Sequence, residues 1–269
     1  MAPIRILRNV ALLALLCVLG ACARQRAATA DEHAGHASPA APASASGSAV
    51  VQDASLPAGA PEAQARLSAS PRHGEWVMVR TGPADSVRAW VVYPERSERA
   101  PVVLVVHEIF GLSHWIRAVA DQLAADGFIA IAPDLLTMQN VPQGADGAPD
   151  PEAARTAIRT LDPDDVHRQL RAVAQYGMQL PAALPRYGIM GFCWGGAVAF
   201  EHAVRSPTLG ASVVYYGTSP TGDLATVRAP VLGLYGENDA RVNATIAPAD
   251  SAMRALGKTF EHRIFPGAG

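Results

Sequence analysis

The chain has 269 residues, with 22 Lys and Arg against 24 Asp and Glu and a formal net charge of −2, so no cationic excess exists to hold a phosphate backbone and a nucleic-acid partner is not expected. Hydrophobic residues make up 49%, yet 52 residues are alanine, whose methyl buries little area, so the larger apolar side chains decide where a core forms. No Phe, Trp or Tyr occurs before Trp76, which excludes a uniform globule.

Arg5 and Arg8 precede an unbroken apolar run from Val10 to Gly20. That run is too short to span a bilayer core, which needs roughly 20 residues, and reads as an export signal over 1–21. The sequence Leu19-Gly20-Ala21-Cys22 resembles the bacterial lipoprotein cleavage box. The resemblance implies acylation of Cys22 and membrane attachment through it; a conventional secretory signal is the alternative. Ala23 rather than Asp follows Cys22, which for such lipoproteins in a two-membrane cell implies the periplasmic face of the outer membrane. Residues 22–71 are rich in Ala, Ser and Pro, with few larger aliphatics, and are expected to form a disordered tether. His33 and His36 within it read as solvated linker residues. With Cys17 in the signal and Cys22 taken by lipid, Cys193 is a lone thiol in an oxidising compartment, which marks it for attention.

From residue 72 the pattern alternates strand and helix. Glu75–Thr81 and Val87–Tyr93 read as an antiparallel pair, and the continuous apolar run 101–107 reads as a strand buried on both faces. Apolar residues at Ile116, Val119, Ala120 and Leu123 mark a helix over 114–126, closed by Gly127. A strand follows at Phe128–Ala132. Asp150-Pro151 and Asp162-Pro163 each look like an N-cap followed by proline at the first helical position. Further strands are expected at Tyr187–Cys193, Ala211–Tyr216, Pro230–Tyr235 and Thr259–Phe265, with helices near 195–205 and 245–256. Such alternation predicts an α/β fold: a mostly parallel sheet covered by helices on both faces.

Ligands bind such sheets beyond the carboxyl ends of their strands. Glu108, Cys193, Asp239 and the segment 266–269 each follow a predicted strand end. Gly191-Phe-Cys193-Trp-Gly195 has the spacing of a nucleophile elbow with Cys in place of Ser. The following helix N-terminus is expected to favour the Cys193 thiolate, and the N–H groups of Trp194 and Ile109 are the expected oxyanion donors.

The motifs His107-Glu-Ile-Phe-Gly111, Ala132-Pro-Asp134-Leu, Gly191-Phe-Cys-Trp-Gly-Gly196 and Tyr235-Gly-Glu-Asn-Asp239 together resemble the dienelactone hydrolase family of α/β-hydrolases. The resemblance covers about residues 75–269 and implies an α/β-hydrolase fold for the domain at 72–269. It implies Cys193 as nucleophile, Asp239 as the acid that orients a His base, and Glu108 as the partner that controls the resting thiol. The implied chemistry is hydrolysis of a small ester or lactone through an acyl-enzyme, with no cofactor and no metal.

The family's His follows a Gly in the loop after the last core strand, and the sequence stops at Gly269, where that His would come next. The C-terminal part of the fold is therefore expected to be truncated. His202 lies nine residues along a helix from Cys193, about 13 Å at 1.5 Å per residue, and is out of reach. His262 sits inside a strand, and His107 is the only local imidazole. Arg155 and Arg159 are the candidates for holding an anionic substrate group. The alternative function is a membrane-tethered binding or scaffold protein that keeps the fold without catalysis.

Overall fold

A computed structural model describes residue 53 and residues 55–269. The export signal, Cys22 and the two linker histidines lie outside the described residues. Helix α1 (Ala63–Ser68) precedes an antiparallel hairpin of β1 (Gly74–Arg80) and β2 (Ser86–Val92), followed by β3 (Ala100–Val106) and α2 (His114–Ala125). The chain continues through β4 (Ile129–Asp134), α3 (Pro151–Ile158), α4 (Pro163–Gln179), β5 (Ala183–Phe192) and α5 (Trp194–Arg205). It closes with β6 (Ser212–Tyr215), β7 (Val231–Gly236), α6 (Ala240–Asn243), α7 (Ile246–Ala255) and β8 (Phe260–Phe265). Each predicted strand is present, displaced at its ends by a few residues.

The eight strands form one sheet in the order β1-β2-β4-β3-β5-β6-β7-β8. β2 is antiparallel to both its neighbours, and the six strands from β4 to β8 run parallel. β3 sits between β4 and β5, so the connections leave it in opposite directions, and a crevice opens at its carboxyl end. This is the α/β-hydrolase arrangement.

Alternation along the central strands builds two cores. Val102, Leu104 and Val106 of β3 join Tyr187 and Ile189 of β5 on the face covered by α4, α5 and α7. Val103 and Val105 join Met190 and Phe192 on the face covered by α2. Both faces of β3 are buried, which is why its sequence is an unbroken apolar run. The Asp150 and Asp162 carboxylates accept from backbone N–H groups of α3 and α4, with proline at the start of each helix.

One expectation needs correction. The stretch 22–71 was expected to be disordered throughout, yet residues 63–68 form α1, packed on α2. Ala58 and Ala63 are buried, Ser70 Oγ donates to Asp121 Oδ1 at 2.6 Å, and Arg72 grips both oxygens of Asp121. Small methyl side chains allow α1 to lie close on α2 without large apolar residues. Composition alone does not register such packing.

Candidate active site

Cys193 stands at the turn from β5 into α5 with φ 56° and ψ −116°, a left-handed conformation rarely adopted by a residue with a side chain. Strain of this kind, on the order of 1–3 kcal/mol, persists only where the surroundings hold it. Here the Cys193 N–H donates to Tyr215 O at 3.0 Å, and the Cys193 carbonyl accepts from Ala197 N–H at 3.2 Å. The glycines beyond it let three strand ends converge. A Cβ on Gly195 would lie 2.4 Å from His107 O, and one on Gly196 would lie 2.5 Å from Tyr215 O. The loops after β3 and β6 are thereby pressed against the elbow.

The thiol is half-buried, and its pKa lies above the usual cysteine value. Burial is the main cause, and the charges of Glu108 and Asp239 add to it. The Trp194 N–H bonds to the sulfur and Arg241 draws the other way, but burial outweighs them. The helix N-terminus does favour the thiolate through the Trp194 N–H, as expected, but burial and the two carboxylates outweigh it, so ionisation of Cys193 calls for a base. The Ile109 N–H, in the loop after β3, has no protein acceptor among the described residues. It remains free for a ligand oxygen, as does the Trp194 N–H once it releases the sulfur.

Glu108 is raised above the usual carboxylate range by burial, and a hydrogen bond from Tyr216 opposes the shift. Tyr216 Oη donates to Glu108 Oε1 at 2.8 Å. Sequence reasoning missed Tyr216, because the run 211–216 reads as continuous strand; β6 ends at Tyr215, and Tyr216 begins the loop at the same edge as Cys193. Its position just past a strand end was the available signal.

The local imidazole is structural. His107 is fully buried, and its Nε2 accepts from Leu135 N–H at 3.2 Å. Nδ1 therefore carries the proton and donates to Glu108 O at 2.7 Å. Burial keeps the ring neutral, and it stacks on Trp194 with centroids 5.6 Å apart. His107 ties the loops after β3 and β4 together and has no nitrogen left for catalysis. His202 is buried among Tyr187 and His167, and His262 lies on the exposed part of β8.

Asp239 caps α6, with its carboxylate accepting from Val242 N–H at 3.0 Å. The segment after β8 is bound to the same loop: Asn238 N–H donates to Ala268 O at 2.8 Å, and Gly267 N–H donates to Glu237 Oε2 at 2.8 Å. Asp239, Tyr216 and Gly269 line a cavity of about 360 Å³ whose floor is Phe192, Leu234 and Phe265. Arg155, partly exposed on α3, pairs with Glu152 on the same helix at 2.8 Å.

The model of the dienelactone hydrolase family matches residues 87–269. The chain is 34% identical over 198 residues to a protein assigned as carboxymethylenebutenolidase in Salmonella typhimurium, covering 69% of this chain and 73% of that one. It is 31% identical over 209 residues to a Bradyrhizobium protein assigned as 2-oxo-3-(5-oxofuran-2-ylidene)propanoate lactonase, covering 72% and 82%. A solved structure assigned as dienelactone hydrolase, from Klebsiella pneumoniae, superimposes with a TM-score of 0.63 at 28% identity, covering 73% of this chain and 86% of that one. With its α/β-hydrolase sheet and a cysteine at the elbow, the chain belongs to the dienelactone hydrolase family.

Proposed function

We propose that this domain hydrolyses small esters or lactones through a covalent thioester on Cys193. The observation that carries the proposal is the strained elbow, which holds a lone thiol at the convergent strand ends within electrostatic reach of Glu108 and Asp239. The thiol loses its proton to a base and its sulfur attacks the carbonyl carbon. The N–H groups of Trp194 and Ile109 hold the resulting oxyanion. Collapse breaks the bond to the alkoxide, which takes up a proton and leaves. Water then attacks the thioester and regenerates the thiol with release of the carboxylic acid.

Glu108 is the proposed proton acceptor for the resting thiol, and Asp239 the residue that orients a histidine base. No feature of the site favours the non-catalytic alternative.

Intact-protein mass spectrometry with p-nitrophenyl acetate and a panel of lactones tests the proposal. The protein is expected to gain one acyl group on Cys193, and Cys193→Ala to gain nothing. Absence of any Cys193 adduct across the panel overturns the assignment.

The domain is further proposed to be exported and held at a membrane through acylated Cys22. Metabolic palmitate labelling that is lost in Cys22→Ala supports this, and equal labelling of the two refutes it.

A further inference from the structure

β1 is an edge strand, and one face of its hairpin leaves large apolar side chains in solvent. Trp76 lies opposite Trp90 and Met78 opposite Arg88, so these four side chains share that face. Trp76 and Met78 are 41% and 60% exposed, among the large apolar side chains left at the surface. α2 covers the face further in, and its Arg117 reaches the edge: the guanidinium sits 4.3 Å from the Trp90 ring centre and 5.1 Å from that of Trp76. Arg88 stacks on Trp76 at 4.3 Å.

The two arginines differ in partner. Arg88 meets Asp134 at 3.4 Å. The Arg117 guanidinium makes no ion pair and no hydrogen bond among the described residues, and its Nε is buried without an acceptor. Its pKa is depressed by burial and by the neighbouring Arg88, so the site carries an uncompensated cation that an anion would relieve. A guanidinium stacked on indole keeps its donor edge free, and that edge matches phosphate oxygens. Exposed Trp and Met beside such donors fit the boundary between headgroups and acyl chains.

The chain's own connection points to the same edge. Arg72 and Ser70 are fastened to Asp121, one helical turn along α2 from Arg117. The N-terminal segment therefore enters the domain beside the patch. We propose that Trp76, Met78, Arg88 and Arg117 form a docking surface for an anionic lipid bilayer, which lays the domain against the membrane. The bilayer as occupant rests on the Cys22 anchoring reading, whereas the patch itself does not. Tethering raises the local concentration of lipid to the point where weak surface contacts are occupied.

The test uses the full chain on vesicles whose acyl chains carry bromine, made of phosphatidylcholine alone or with phosphatidylglycerol. Sedimentation records attachment by any route, and quenching of tryptophan emission records contact of the patch. Quenching is expected with phosphatidylglycerol, and Trp76→Phe should remove most of it. Arg117→Gln should weaken the phosphatidylglycerol-dependent part about fivefold. Met78→Asp, at a mostly exposed position, should also reduce quenching. A chain that sediments without quenching overturns the docking surface and leaves the anchor intact. Equal quenching in both lipids overturns the anionic part. Cross-linking of two copies through β1, with no quenching, reassigns the edge to self-association and overturns the proposal. None of these outcomes bears on acylation of Cys193, which is read separately.

Discussion

Tyr216 Oη donates a 2.8 Å hydrogen bond to Glu108 Oε1, joining the loop after β6 to the loop after β3 across the Cys193 elbow. Tyr216 holds this position at φ 39°, and its N–H donates to Leu234 O at 2.8 Å. Burial, the Glu108 charge and the hydrogen bond all raise the phenol pKa, so Tyr216 stays a donor. That bond favours ionised Glu108 against the burial that disfavours it. In Tyr216→Phe the Glu108 pKa should rise further. If Glu108 accepts the thiol proton, the acidic limb of Cys193 acylation moves upward by about one pH unit, the size of a hydrogen bond to a charged group. Single-turnover acylation across pH measures this, and an unmoved limb removes Tyr216 from the proton inventory.

Glu108→Gln separates two effects of the same carboxylate. Its negative charge raises the thiol pKa, so the amide should make Cys193 easier to ionise. Alkylation by iodoacetamide at pH 8 should be several-fold faster than in the parent chain. Acylation by ester should slow, because the proposed proton acceptor is gone. Slower alkylation would contradict the electrostatic account of the raised thiol.

Asp121→Ala tests whether the segment before β1 belongs to the domain. Arg72 and Asp121 are 2.5 Å apart, with side chains only 13% and 7% exposed. Removing the carboxylate leaves a largely buried guanidinium and the Ser70 hydroxyl unpaired. The expected loss is about 3 kcal/mol, at the low end for breaking a buried pair. Urea denaturation reads it, and a loss under about 0.5 kcal/mol, the ordinary effect of a surface change, would return residues 63–72 to the tether.

The parts of this fold that sequence made legible are those fixed by local pattern. The apolar run of β3, the proline-led starts of α3 and α4, and the glycine spacing around Cys193 each impose one geometry wherever they occur. The missed features depend on neighbours far along the chain. Tyr216 gains its role from Glu108, 108 positions away. The thiol pKa is set by burial and by Glu108 and Asp239, which fold back from other strands, and these outweigh the helix terminus that local sequence advertises.

The buried polar chain between β5, α4 and α5 predicts an acid-labile domain. Ser206 Oγ lies 2.7 Å from Tyr187 Oη, which lies 3.1 Å from His202 Nε2, and His202 Nδ1 lies 3.2 Å from His167 Nδ1. The bonds can run in either direction along this chain, and in both cases every one of these atoms is satisfied with both imidazoles neutral. Burial pulls His167 down to about 4, with Arg205 and Arg171 adding to the effect and Asp164 opposing it. Burial pulls His202 down to about 3, with His167 and Arg171 adding to it. Both values lie below that of the unfolded chain, so unfolded histidines take up protons first as pH falls. The stabilisation is fully present above about pH 6.5 and is lost as pH falls through the folded values. His167 alone contributes on the order of 3 kcal/mol to this pH dependence. Melting temperature should be level above pH 7 and should fall steeply between pH 6.5 and 4. In His167→Leu it should start lower, because His202 Nδ1 loses its hydrogen-bond partner, and fall less steeply over that window. Parallel slopes in the two proteins would place the acid sensitivity in the carboxylates instead.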